Sequence, residues 1–97
     1  MTAVVELTRF RVDPAKAEAL RAARPAMLAD FRADRTGFLE ARLVQVTAEE
    51  WLDIVWWASS EDFAESRAKG ANRPGIAEFF GLIDALVSSE QGTAGDR

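Results

Sequence analysis

EWLDIVWWASSEDF, residues Glu50–Phe63, holds all three tryptophans of a 97-residue chain within seven positions. Its first half is rich in Trp, Ile and Val and carries no Gly or Pro, which marks it as a strand. Side chains alternate across a strand, so Trp51, Asp53, Val55 and Trp57 share one face. Leu52, Ile54, Trp56 and Ala58 take the other. Both faces are mainly apolar. In a chain this short each side must still find a cover.

The flanking segments supply one cover. Upstream, FLEARLVQV (Phe38–Val46) has strand character, with Leu39, Ala41 and Leu43 on one face and Phe38, Glu40, Arg42 and Val44 on the other. TAEE joins it to the tryptophan strand, which predicts a hairpin whose register stays open, because no Asn-Gly turn fixes it. Downstream, Ser59 with Asp62 three residues on predicts a helix cap, and Gly70 predicts its end. After the ANRPG break, IAEFFGLIDALV continues at helical spacing through Ile76, Phe79, Phe80, Ile83, Leu86 and Val87. From Ser88 the chain turns polar, as a short edge strand or a frayed end, with a disordered tail expected from about residue 92. At the N-terminal side, VVELTRFRV (Val4–Val12) reads as a strand with Val4, Glu6, Thr8, Phe10 and Val12 on one face. Asp13 and Pro14 then open a helix along Ala17, Leu20, Ala23, Met27, Leu28 and Phe31, with a kink expected near Arg21–Pro25.

The order is β–α–β–β–α–α, with a last strand left open. It predicts a single α+β domain over residues 1–97, a ferredoxin-like antiparallel sheet with helices on one face. The other face of that sheet keeps large apolar side chains. Such a patch predicts association, most economically a symmetric homodimer with two open sheets face to face. Parity alone leaves open which face of the tryptophan strand that is, since each keeps two or more large apolar side chains.

Composition narrows the chemistry. The chain has no histidine, no cysteine and no tyrosine. That removes histidine triads, histidine-ligated zinc or haem iron, thiolate chemistry and disulfides. The scattered acids show no metal-ligand spacing, and neither metal nor cofactor is expected. A net charge of −4 with dispersed cations argues against a nucleic-acid surface. The apolar runs are too short to span a bilayer, and the N-terminus lacks the basic-then-apolar pattern of a signal peptide. A cytoplasmic location is the expectation.

Several segments resemble the antibiotic biosynthesis monooxygenase-like family. TRFRVDPAKAEAL is similar to that family's first strand and helix start, GFLEARLV to its second strand, and PGIAEFFGLID to the helix before its last strand. WASSEDF (Trp57–Phe63) resembles its Trp-x-Ser-x-acid-x-Phe segment. The resemblance runs over Val4–Glu90. It implies a dimeric α+β barrel, with a ligand cavity between helices and sheet in each protomer. It also implies that Trp57 lines that cavity, which makes Leu52, Ile54 and Trp56, on the opposite face, the candidate interface residues. Thr8 falls near a first-strand position where haem-degrading members carry asparagine. With that residue changed and histidine missing, haem degradation is not implied. Tyrosine and histidine, used near the substrate by some polyketide oxygenases of the family, are absent too.

The activity implied is cofactor-independent monooxygenation of an aromatic polyketide- or quinol-like small molecule. Such a site must hold a flat apolar substrate, take a proton, stabilise an oxyanion and exclude water. Trp57 is the candidate substrate wall and, through its indole N–H, a candidate oxyanion donor, read otherwise as a core tryptophan. Asp53, four positions away on the same face, is the candidate base, read otherwise as an ion pair with an arginine such as Arg42. Thr8, Asn72 and Phe79 are candidate substrate contacts. Asn72 is otherwise loop chemistry and Phe79 otherwise core. Arg9 and Arg42 are candidates to stabilise an oxyanion, read otherwise as cross-strand pairs. Two other functions fit the same pattern. One is a non-catalytic small-ligand-binding dimeric barrel; the other is a polyketide cyclase-like enzyme.

Overall fold

The computed structural model describes residues 2–96. Four strands, β1 (Val4–Arg11), β2 (Phe38–Gln45), β3 (Glu50–Trp57) and β4 (Ala85–Thr93), alternate with helices α1 (Ala17–Asp34), α2 (Ser60–Lys69) and α3 (Pro74–Gly81). The sheet is antiparallel with order β2-β3-β1-β4. All three helices pack on one face, the ferredoxin-like α+β arrangement.

The register settles the faces. β1 pairs β3 with Val4 opposite Trp57, Glu6 opposite Val55, Thr8 opposite Asp53 and Phe10 opposite Trp51. These rows point at the helices, and Trp51, Asp53, Val55 and Trp57 are all buried. The alternate rows set Val5 against Trp56 and Leu7 against Ile54, facing away. In β2 the expected faces are corrected at one residue. An irregularity between Phe38 and Glu40 sets Phe38 opposite Trp57, so Phe38 joins the helix-side face with Ala41 and Leu43. A bulge changes the parity of everything before it.

Local chemistry sets the ends. Asp13 accepts from the Ala15 N–H and opens a 3-10 turn, Pro14–Lys16, before α1. Pro25 sits inside α1, which runs unbroken from Ala17 to Asp34. Ser59 caps α2 by accepting from the Asp62 N–H, and Gly70, at φ 59°, ends it. Gly75 lets α3 press on α1. A Cβ there would lie 2.6 Å from the Ala26 carbonyl oxygen. Its N–H donates to Asp30 Oδ2 at 2.7 Å.

The helical spacing read through Val87 is corrected: α3 stops at Gly81, and Leu86 and Val87 belong to β4. The physical reason is the free edge of β1. β4 satisfies its backbone groups from Val4 to Arg11, out to Val4 opposite Thr93, and the Ala94 N–H bonds the Ala3 carbonyl. Asp84 fixes the switch point. Its N–H bonds Arg11 O, and its carboxylate takes the Asp13 N–H at 2.7 Å and Lys16 Nζ at 2.6 Å. Those bonds, Lys16's first, hold the Asp84 carboxyl below its ordinary range.

The core joins Phe10, Val12, Leu20, Met27, Phe31, Trp51, Ile76 and Phe79. Beside it, Trp57 packs with Val55 and Phe63. No helix among the described residues is long and apolar enough to cross a membrane.

Candidate functional site

A cavity of about 540 Å³ lies between the sheet and the helices, within the ~300–1,000 Å³ range of small-molecule sites. Its floor is the helix-side face of three strands: Glu6, Thr8 and Phe10 of β1, Asp53 and Val55 of β3, Leu86 and Ser89 of β4. Phe63, Ser66 and Arg67 of α2 and Phe79 and Phe80 of α3 cover it. Phe31 and Arg35 close one side. The surface is mostly aromatic and aliphatic, with a few convergent polar groups.

Glu6 is the polar group the sequence reading passed over. It sits mid-strand in β1, and each carboxylate oxygen accepts one neutral donor. Trp57 Nε1 donates to Oε1 at 3.1 Å and Thr8 Oγ1 to Oε2 at 3.1 Å. Burial pushes the Glu6 carboxyl above its ordinary value, outweighing those two hydrogen bonds; the negative charge of Asp53 adds to the rise and Arg67 opposes it. A carboxylate oriented by two donors and poorly solvated is what a general base requires. The signal was present in sequence: Glu6 interrupts the Val4–Val12 face that the strand turns inward.

Asp53 also lines the cavity, but both its oxygens are engaged. Arg24 of α1 donates Nη1 to Oδ2 at 2.7 Å and Nη2 to Oδ1 at 2.8 Å, a bidentate pair. The expected partner, Arg42, is corrected. It lies on the outer face opposite Ile54, where it pairs with Glu40. Arg24 had its own signal, a cation at i+4 from Leu20 within the apolar stripe of α1. Arg9 likewise pairs with Glu50, away from the cavity.

Trp57 stands one layer behind the place expected of it. It is fully buried, is not on the cavity surface, and stacks on Phe63 at 6.0 Å between ring centroids. Its indole N–H reaches the cavity only through Glu6. Thr8 and Phe79 lie on the lining. Asn72 does not. It belongs to a clamp around Arg35, whose Nε donates to Ser66 Oγ at 2.8 Å and whose Nη1 donates to Asp34 Oδ2 at 2.8 Å and to Asn72 Oδ1 at 2.7 Å. Asn72 Nδ2 donates in turn to Asp34, the main reason that carboxyl titrates below its ordinary range. The clamp ties the end of α1 to α2 and the α2–α3 loop. Leu52, Ile54 and Trp56 lie on the far face of the sheet, half-buried. Among the described residues no cluster of three or more acidic, histidine or cysteine side chains could hold a metal ion.

The sequence pattern of the antibiotic biosynthesis monooxygenase family matches residues 3–73. No curated protein matches the chain. Solved structures share its fold. SnoaB, a cofactor-independent oxygenase from Streptomyces nogalater, is 24% identical with a TM-score of 0.63, over 100% of this chain and 95% of that one. A Bordetella bronchiseptica protein suggested to be an antibiotic biosynthesis monooxygenase is 12% identical with a TM-score of 0.79, over 95% of this chain and 96% of that one. A protein of unknown function from Nitrosomonas europaea is 14% identical with a TM-score of 0.70, over 100% and 93%.

Proposed function

The chain belongs to the antibiotic biosynthesis monooxygenase family, and on that premise we propose that it is a cofactor-independent monooxygenase of a flat aromatic substrate, polyketide- or quinol-like. The observation that carries the reading is Glu6: an oriented carboxylate with a raised pKa, set in the floor of a mostly apolar cavity. In an anthrone-type substrate Glu6 takes the proton from the acidic ring carbon. The resulting carbanion reduces dioxygen and combines with it to give a substrate peroxide anion, which takes the proton back from Glu6 and becomes a hydroperoxide. Loss of water from that group, which carries off the second hydrogen of the ring carbon, leaves a ring carbonyl, with Glu6 again in its carboxylate form. One substrate and one O2 give one quinone and one water. The base role moves from Asp53 to Glu6, because Asp53 is occupied by Arg24. Trp57 is a positioning residue that acts through Glu6, while Thr8 and Phe79 meet the substrate.

The working unit in this proposal is a cytoplasmic homodimer. What supports the dimer is the outer sheet face, where Leu52, Ile54 and Trp56 adjoin Val5 and Leu7 in one apolar band. Sedimentation at micromolar concentration tests it, and a 10.7 kDa species would refute it.

Oxygen uptake with an anthrone or a hydroquinone tests the activity. The expected result is consumption that falls at least a hundredfold in Glu6→Gln, the order of a general-base contribution. Ligand binding without oxygen uptake would make the protein a non-catalytic binding barrel. Cyclised product formed without oxygen would make it a cyclase.

A further inference from the structure

Three of the five charged groups that line the cavity are matched. Asp53 is held by Arg24, Asp84 by Lys16, and Arg35 by its clamp. Two groups are left. Glu6 takes only neutral donors, and Arg67 of α2 has neither a carboxylate nor any hydrogen-bond acceptor among the described residues. They line the same cavity without pairing with each other. The Arg67 head packs against an aromatic ring. Its guanidinium carbon lies 5.5 Å from the centroid of Phe63, which itself stacks on Trp57. An aromatic stack thus presents a guanidinium at the rim of an apolar cavity whose floor carries the base. Guanidinium matches carboxylate with two parallel hydrogen bonds.

We infer that Arg67 selects substrates that carry a carboxylate on the aromatic frame, remote from the ring carbon that faces Glu6. This rests on reading the cavity as the substrate site. A neutral quinol would leave Arg67 to water. An aromatic acid fills both ends, with its anion at Arg67 and its acidic proton at Glu6. The arrangement also fixes which way round the ring system enters, because the anion cannot sit beside the Glu6 carboxylate.

The test uses a matched pair, anthraquinone-2-carboxylate and anthraquinone-2-carboxamide, titrated into the full chain by calorimetry and tryptophan fluorescence. The carboxylate should bind about tenfold more tightly at low ionic strength, and the preference should shrink by about 0.5 M salt. Arg67→Gln should bring the carboxylate down to the amide's affinity and leave the amide unchanged. Its exposed position leaves the fold intact, which circular dichroism checks. Equal binding of the pair by the unmodified protein, or a preference that survives Arg67→Gln, overturns the inference while the cavity reading stands. Failure of both ligands to bind overturns both. A carboxylate preference without oxygen uptake from any anthrone keeps the inference and removes the monooxygenase.

Discussion

Replacing Asp53 by Asn separates a structural carboxylate from a catalytic one. The Arg24 and Asp53 side chains are 10% and 12% exposed, with paired bonds of 2.7 and 2.8 Å. Removing one partner of a buried pair leaves an uncompensated charge and costs about 3–5 kcal/mol. The residual exposure and the hydrogen-bonding capacity of Asn put Asp53→Asn at the lower end, about 3 kcal/mol. In a domain of this size that lowers Tm by roughly 12–24 °C. Removing both charges should cost far less. Arg24 packs over the Phe79 ring at 5.2 Å and beside Met27 Sδ at 3.9 Å, surroundings that suit Met. The double variant Arg24→Met/Asp53→Leu should therefore lie within about 1 kcal/mol of the parent. Urea unfolding followed by far-ultraviolet circular dichroism, at one fixed protomer concentration, measures Asp53→Asn and the four corners of the cycle, the parent, Arg24→Met, Asp53→Leu and the double variant. Oxygen uptake per folded molecule, read well below each Tm, completes the test, and Asp53→Asn should keep most of it. An unfolding cost under about 1 kcal/mol, or additive single effects, would refute the buried-pair argument. A folded Asp53→Asn that loses activity a hundredfold would return the base role to Asp53.

Glu6→Gln should be more stable than the parent at neutral pH and equal to it in acid. Glu6 titrates above its ordinary 4.5 when folded, so its full contribution is present below that pH and is lost as pH rises through the folded value. Thermal melts from pH 4 to 8 check this, and a constant difference across that range would contradict it. The same carboxyl should give the activity a rising limb with pH, absent in Glu6→Gln. Trp57→Phe removes a hydrogen bond that favours ionised Glu6, so that limb should move to higher pH, with about 2 kcal/mol lost from stability. A merely structural Trp57 would lose the stability without moving the limb. Trp56→Glu should dissociate the dimer in sedimentation; a dimer of unchanged affinity would place the interface elsewhere.

The order of elements was legible because its boundaries carry their own chemistry: Asp13–Pro14, Ser59 and Gly70. The last strand was hidden, since Ile83, Leu86 and Val87 continue the spacing of Phe79 and Phe80. Only the unpaired edge of β1 decides that Ala85–Thr93 extends beside it, and a single-segment period does not contain that edge. Phe38 was misplaced for a similar reason, as bulges have no fixed sequence mark. The site was half legible. Face parity put Asp53 on the face of Trp57, and the family resemblance, not parity, turned that face and Thr8 toward the cavity. Neither could say that Arg24 would reach Asp53 from another element, or that Trp57 would stand behind Glu6. Those facts depend on how deeply each side chain penetrates, which spacing alone does not give.

The tryptophan strand shows why its two apolar faces are not redundant. Trp51 and Trp57 lie inside, and Trp57 closes the Glu6 side of the cavity from behind. Trp56, one residue away, lies on the surface proposed for the partner. The same backbone bonds that set Glu6 opposite Val55 set Leu7 opposite Ile54. Site and outer face are therefore locked to one register. A slip of one residue would turn Asp53 outward and leave Arg24 buried without its partner, while Trp56 would be driven into the space of Trp57. The penalty worked out above for Asp53→Asn is part of what resists that slip. On the proposed reading, in which Glu6 is the base, the Arg24–Asp53 pair would serve as a register lock for β3. On this argument Arg24→Met/Asp53→Leu can recover stability and still show faster amide exchange along β3 than the parent. Exchange as slow as the parent's would confine the pair to an electrostatic role.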